Sequence, residues 1–366
     1  MKFIINREDL LIPLQQIVNV IEKRQTMPVL ANILLKLSVD TLFLTGTDLE
    51  IQVRVQMEIK STDSGEITVP ARKFLDICRL LPTKADINFA YQNGKVNIKS
   101  GTSRFTLSTL SADSYPDFPE NESEYEFSIH SGKLKKALDR TIFCMANQDF
   151  RYYLNGLMMH ISNSTLKLVT SDGHRLAIYE QDINQATGID NRIIIPRKAV
   201  QELSRILDAH NEQAVLQISK NNFKVLVGNL VFLSKLIDAK YPDFSKIYQQ
   251  DYLPPIQINK QALKETLTRV AILANEQTKG ITLEINSDHI LISSYNPEHE
   301  EAEEKIAIEF TGKPSSITFN AQYLLEALTN LDSELAILSI ASNLSSCFVE
   351  EPQQVPYKFI VMPMTL

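Results

Sequence analysis

The chain alternates between two hydrophobic rhythms, and the change from one to the other organises it. Apolar residues two apart at Phe3 and Ile5 give way to apolar residues three or four apart at Leu10, Leu14, Ile17 and Ile21. That change marks a short strand feeding an amphipathic helix. It recurs at Phe127, Ile129, Leu134, Leu138 and Ile142, and again at Ile256, Ile258, Leu263, Leu267 and Ala271. A second strand-helix unit follows each, over 67–81, 193–207 and 317–331, with Pro70, Pro196 and Asn320 marking the helix starts. Alternating runs between the helices, at 95–100, 215–219 and 289–294, read as antiparallel strands. Pro13 is expected to fall early enough in its helix that its missing N–H is one the first turn leaves unpaired.

The recurrence is a true internal repeat. Leu42-Phe43-Leu44 with Asp48 returns as Leu166-Lys167-Leu168 with Asp172 and then as Ile290-Leu291-Ile292 with Asn296, at one constant spacing. The same spacing sets Leu30-Ala31-Asn32-Ile33 over Leu154-Asn155-Gly156-Leu157 and Thr278-Lys279-Gly280-Ile281. Tyr115-Pro116-Asp117-Phe118 returns letter for letter as Tyr241-Pro242-Asp243-Phe244, whereas the third copy ends in Ile360-Val361-Met362-Pro363-Met364. Repeats of supersecondary units bury their cores against their neighbours. The fold expected is therefore α+β, with three repeated domains over 1–121, 122–252 and 253–366, each made of two helices backed by antiparallel sheet. The boundaries fall at the polar and proline-rich stretches 119–122 and 251–255.

Composition narrows the class. A 366-residue chain that is 44% hydrophobic and 22% charged is a globular protein of more than one core. No apolar run reaches the roughly 18 residues a membrane span needs, and Arg7, Glu8 and Asp9 interrupt any signal-peptide core, so a cytoplasmic protein with no membrane partner is expected. Cys78, Cys144 and Cys347 fit no metal or redox spacing and read as reduced, buried thiols.

The net charge of -7 argues against a nucleic-acid partner until its distribution is considered. Helical stretches 72–81, 131–141, 197–207 and 259–269 hold 13 cations against 4 anions, leaving 24 cations against 40 anions elsewhere. Lysine on a solvated helix face is ordinary for one helix. If equivalent helices line one surface of a ring, that surface attracts phosphates while the acidic exterior repels them. Six helices at about 9 Å spacing close a circle too small for a duplex, whereas twelve leave a hole of roughly 24 Å. Two chains joined head to tail, each forming half of a closed ring, meet that requirement, and Lys198 is an expected phosphate contact.

No catalytic site is expected. His299-Glu300-Glu301-Ala302-Glu303 has Glu where a zinc-protease helix needs its second His. His174 beside Asp172 has Gly173 between them and no nucleophile motif nearby. There is no Walker loop or GxGxxG among 11 glycines, so neither a metal nor a cofactor is expected.

Over its full length the chain resembles the bacterial beta sliding clamps, the processivity subunits of DNA polymerase III. The carrying segments are Leu44-Thr45-Gly46-Thr47-Asp48-Leu49-Glu50, Val69-Pro70-Ala71-Arg72-Lys73-Phe74, Gln148-Asp149-Phe150-Arg151-Tyr152-Tyr153-Leu154-Asn155-Gly156, Asp172-Gly173-His174-Arg175-Leu176-Ala177 and Val361-Met362-Pro363-Met364. The resemblance implies a DNA sliding clamp: a head-to-tail homodimer that encircles duplex DNA without reading sequence and tethers DNA polymerase catalytic subunits. A clamp loader and other clamp-motif proteins are further implied partners. The alternative is a peptide-binding repeat scaffold that does not encircle DNA, from which the basic helices distinguish it.

The resemblance also implies residues. DNA contacts fall on Arg24, Arg72, Gln148, Tyr152 and Tyr153, although sheet packing is an alternative use of the two tyrosines. A partner-peptide pocket is formed by Leu154, Ser171, Gly173, His174, Arg175, Leu176, Pro242, Lys246, Ile247, Leu344, Ser346, Ile360, Val361, Met362, Pro363 and Met364. Ser171, Lys246 and Thr365 depart from the common threonine, arginine and arginine. A dimer interface pairs Phe105 and Leu107 with Ile272 and Leu273, ringed by Lys73 and Arg104 facing Glu298, Glu300, Glu301, Glu303 and Glu304.

Overall fold

One succession of elements runs three times along the chain. The first copy gives β1 (Lys2–Asn6), α1 (Arg7–Val20), β2 (Asn32–Ser38), β3 (Thr41–Thr47), β4 (Ile51–Glu58), β5 (Gly65–Pro70), α2 (Ala71–Leu80), β6 (Asp86–Gln92), β7 (Lys95–Ser100) and β8 (Ser103–Ser108). The second gives β9 (Tyr125–His130), α3 (Ser131–Asp139), β10 (Gly156–Ser162), β11 (Thr165–Ser171), β12 (Arg175–Asp182), β13 (Asp190–Pro196), α4 (Arg197–Leu207), β14 (Gln213–Ile218), β15 (Asn222–Val227) and β16 (Leu230–Lys235). The third gives β17 (Ile256–Asn259), α5 (Lys260–Val270), β18 (Gly280–Ile285), β19 (His289–Tyr295), β20 (Glu301–Ala307), β21 (Ser315–Asn320), α6 (Ala321–Thr329), β22 (Leu335–Ile340), β23 (Cys347–Glu350) and β24 (Tyr357–Val361). The structure is a computed structural model that describes residues 1–22, 27–61, 63–119, 122–183, 188–245, 247 and 250–365.

The chain folds as two compact units, residues 1–135 with 198–238 and residues 136–197 with 239–366. The first unit holds a four-stranded sheet, β1-β6-β7-β8, and an eight-stranded sheet, β5-β2-β3-β4-β16-β15-β14-β9. The second holds the eight-stranded sheet β13-β10-β11-β12-β24-β23-β22-β17 and the four-stranded sheet β20-β19-β18-β21. The splices are the pairings of β4 with β16 and of β12 with β24, each of which continues the sheet of one copy into the next. The units therefore cut through the second copy, because the sheets cross the repeat boundaries. β8 and β20 are left at sheet edges.

Local chemistry accounts for the helix starts. Asn6, Asn259 and Asn320 cap α1, α5 and α6 by accepting backbone N–H bonds from Glu8, Ala262 and Gln322. The capping at Asn6 starts α1 well before Leu10, so Pro13 lies inside the helix and not in its first turn. The expectation for Pro13 is thereby corrected: its ring removes an interior N–H that would have bonded the Asp9 carbonyl. Leu10, Leu14 and Ile17 of α1 are fully buried, and a side chain on Gly46 of β3 would lie 2.4 Å from Ile17 Cγ2. Phe3 and Phe89 stack at 4.5 Å in the same core. No helix is long and apolar enough to cross a membrane among the described residues.

Candidate binding pocket and basic helices

The pocket residues gather where β12 meets β24. Leu176 lies opposite Ile360 and Arg175 opposite Val361, while Phe348 and Cys347 of β23 lie opposite Ile360 and Val361 on the other side. The turn before β12 is held by its own polar groups. The Asp172 carboxylate accepts from His174 N at 2.9 Å and Arg175 N at 3.0 Å, and the Ser171 hydroxyl donates to the Arg175 carbonyl at 2.7 Å. Gly173 has φ +90, and a Cβ there would meet the Arg151 guanidinium at 2.7 Å, so only glycine fits.

The tail closes on this turn. β24 ends at Val361, so Met362, Pro363 and Met364 continue past the sheet without belonging to it. Met362 N donates to the His174 carbonyl at 2.8 Å, and Met364 N donates to the Thr318 carbonyl at 2.9 Å. Ile247 is buried and its carbonyl accepts the Tyr252 hydroxyl at 2.6 Å, with the Tyr252 ring edge-on to Phe348 at 5.3 Å. Leu154 and Ser346 are buried, and Pro242 and Leu344 half-buried. Arg175 is an anchor more than a wall: its guanidinium bonds Asp172 at 3.0 Å and Glu326 at 2.5 Å and lies 4.5 Å over the Tyr323 ring. Tyr323, which also stacks on His174 at 6.4 Å, carries no motif that sequence reasoning detects.

Residues 148–153 form a braced loop. Gln148 has φ 58, Asp149 and Asn155 exchange side-chain and backbone bonds, and Arg151 bonds both the Asp149 carboxylate and the Asp172 carbonyl. The Arg151 guanidinium holds the Asp149 carboxyl down at about 2. Tyr152 and Tyr153 sit in a 3-10 turn with Tyr152 58% exposed and Phe150 90% exposed, which excludes sheet packing for Tyr152.

Several cations of the basic helices, the expected phosphate contacts Lys198 and Arg72 among them, are already engaged. Lys198 donates to Glu22 at 2.8 Å and pairs with Asp48, and these two carboxylates hold its ammonium above the ordinary lysine range although burial works against the charge. Arg72 donates to the Ile21 carbonyl at 3.1 Å, Arg140 pairs with Asp332, and Arg269 pairs with Glu304. The ammonium groups of Lys73, Lys133 and Lys264 carry no ion pair among the described residues. Arg24 and Lys246 lie outside the described residues. No group of three metal-ligating side chains occurs among the described residues.

The residues expected at a dimer interface lie on the edge strands β8 and β20 and beside them. Arg104, Phe105 and Leu107 are on β8, and Glu301, Glu303 and Glu304 on β20. Glu298 and Glu300 are exposed in the turn before β20, and Ile272, after α5, is 75% exposed. Leu273 is half-buried, and Glu304 turns inward to Arg269 and Thr266.

Comparison with known proteins agrees along the whole chain. Residues 1–119, 128–243 and 250–365 match the N-terminal, central and C-terminal domains of the family described as DNA polymerase III beta subunit. The beta sliding clamp of Proteus mirabilis is 41% identical over 100% of both chains. A crystal structure of the Pseudomonas aeruginosa sliding clamp bound to griselimycin superposes with TM-score 0.96 at 39% identity, covering 100% of both chains. That of Bartonella birtlesii, also bound to griselimycin, superposes at 0.95 with 28% identity and the same coverage.

Proposed function

The chain belongs to the DNA polymerase III beta subunit family and is a DNA sliding clamp, a processivity factor and not an enzyme, and from that premise we propose how its parts work. Two copies join head to tail into a ring around duplex DNA. Each contributes three domains, 1–121, 122–252 and 253–366, and each domain contributes two helices to the inner wall. The single observation that carries this reading is the splicing of successive copies into eight-stranded sheets, whereas β8 and β20, the counterparts of the spliced strands, remain at sheet edges without such a partner.

The two internal splices also supply a register. Gln52 opposes Leu233 and Leu176 opposes Ile360. Carried to the third copy, this places Glu301 opposite Thr106 of the partner subunit, Ala302 opposite the partner's Phe105, and Glu303 opposite the partner's Arg104. The faces agree, because Glu303 and Arg104 are both exposed on their strands while Ala302 and Phe105 are both half-buried. Phe105, Leu107, Ile272 and Leu273 supply the apolar centre, and the charged rim, with Lys73, Glu298 and Glu300, orients the partners.

DNA is held through phosphates by Arg24, Arg72, Gln148, Tyr152 and Tyr153. Lys198 acts there only if it exchanges its carboxylate partners. The pocket at the β12–β24 splice takes extended peptides from polymerase catalytic subunits, the clamp loader and other clamp-motif proteins in the cytoplasm. Retention on nicked circular DNA against linear DNA tests the ring: the clamp remains on circles and slides from free ends. Equal retention on both would return the protein to a peptide-binding scaffold.

A further inference from the structure

The repeated aspartate has a second use that the third copy lacks. In the first copy Asp48 caps its turn with one carboxylate oxygen, accepting from Glu50 N at 2.9 Å and Ile51 N at 2.7 Å. Its other oxygen takes the Lys198 ammonium from α4, across the β4–β16 splice, and the Asp48 side chain is only 5% exposed. In the second copy Asp172 caps in the same way, and its other oxygen takes Arg175 Nε at 3.0 Å. Arg175 in turn bonds Glu326 of α6, across the β12–β24 splice. At the first boundary the carboxylate-cation pair itself ties the turn to the second helix of the next copy, whereas at the second Asp172 holds Arg175 within its own copy and Arg175 makes the crossing bond to Glu326.

In the third copy the residue is Asn296. Its oxygen also caps its turn, which is one residue longer, accepting from Glu298 N at 3.1 Å and Glu300 N at 3.0 Å. Where the aspartates present a second oxygen, Asn296 presents an amide that donates to the Glu300 carboxylate at 2.7 Å. An amide nitrogen cannot accept a cation. The helix that would meet this turn is α2 of the partner subunit. There Arg72 holds the position that Lys198 holds in α4, two residues after Pro70 as Lys198 is two after Pro196. A cation therefore stands at the third boundary without the carboxylate that receives it at the first.

We infer that Asp48 directly, and Asp172 through Arg175, fasten the two boundaries within the chain, and that Asn296, by withholding the equivalent acceptor, sets how readily subunits exchange at the boundary between copies. This rests on the dimer proposed above. A shielded ion pair is costly to break from one side, because the remaining charge stays poorly solvated. The carboxylates left at the third boundary, Glu298 and Glu300, are exposed, and pairs they form are screened by salt.

Two variants of the full-length protein test this. In Asp48→Asn the cap survives and the cation acceptor is lost. Amide hydrogen exchange in 230–235 should then rise by about tenfold, with the subunit exchange rate unchanged. The reciprocal double variant Asn296→Asp with Glu300→Gln exchanges amide and carboxylate, conserving both their hydrogen bond and the net charge. It should slow subunit exchange at least about threefold, and adding Arg72→Met should abolish the slowing. Unchanged hydrogen exchange in Asp48→Asn, or subunit exchange in the double variant as fast as in wild type, overturns the inference. A wild-type protein that forms no dimer would instead refute the proposed ring, while Asp48→Asn would still decide the fastening within the chain.

Discussion

Leu176 faces Ile360 across the pairing of β12 with β24, with both side chains fully buried, so the peptide site proposed above lies over the splice between the second and third copies. The proposed binding site and the domain junction thus coincide. A peptide that docks there meets strands already held in register by main-chain hydrogen bonds, which limits the ordering that binding requires.

Because β12 and β24 belong to the same chain, the pocket should not depend on the dimer. Leu273→Asp places a charge in the proposed apolar centre and should sediment as a monomer. Its affinity for a clamp-motif peptide should stay within about twofold of wild type. A dimer that persists in this variant would remove Leu273 from the interface.

DNA should be held weakly and by charge. Replacing Arg24 and Gln148 together with alanine should reduce binding at low salt and lower the salt dependence by about one counterion, with the dimer unaffected. Binding of the wild type should fall steeply as salt rises. A selection that returns a preferred sequence would contradict recognition through phosphates alone.

All three thiols should be inert in the native protein. Burial pushes Cys78 and Cys347 up to about 12 and Cys144 well above the ordinary thiol range, so almost no thiolate exists near pH 8. A disulfide-exchange reagent should titrate no thiol in the folded state and all three after unfolding. Reaction of any one before unfolding would contradict its burial.

Gly46→Ala should destabilise the fold by about 1–3 kcal/mol, because the added methyl meets Ile17 Cγ2 at 2.4 Å and the facing helix must shift. Urea denaturation measures this directly. A stability equal to wild type would mean that α1 yields without cost.

Periodicity made the repeat, the helices and the strands legible, since each is written in residues close together along the chain. Pairings between distant residues were not. Lys198 reads as a free cation on a basic helix, yet its carboxylate partners Glu22 and Asp48 are 176 and 150 residues away. Tyr323 and Arg151 escaped for the same reason: a ring stacked on His174 and a guanidinium packed on Gly173 are facts of tertiary approach. Pro13 misled differently. Helix propensity disfavours it in the interior, and burial of Leu10, Leu14 and Ile17 outweighs that local cost.

The tail separates a strand that supports the fold from a segment free to serve the pocket. Tyr357–Val361 is β24, buried except at Lys358 and paired on both sides over 359–361, whereas Met362, Pro363 and Met364 are half-buried and outside any strand. Among the described residues, two backbone bonds beyond Val361 tie the tail down, from Met362 to His174 and from Met364 to Thr318. Deletion from Met362 onward therefore leaves the β12–β24 splice intact and removes the flexible, polarizable wall over Leu176. A peptide of the Gln-x-x-Leu-Phe kind should lose at least about tenfold in affinity by calorimetry, and polymerase stimulation should be lost with it. The melting temperature and sedimentation of the truncated protein should match wild type. Equal peptide affinity in the two proteins would mean that the tail is no part of the site and that partners bind elsewhere on the clamp.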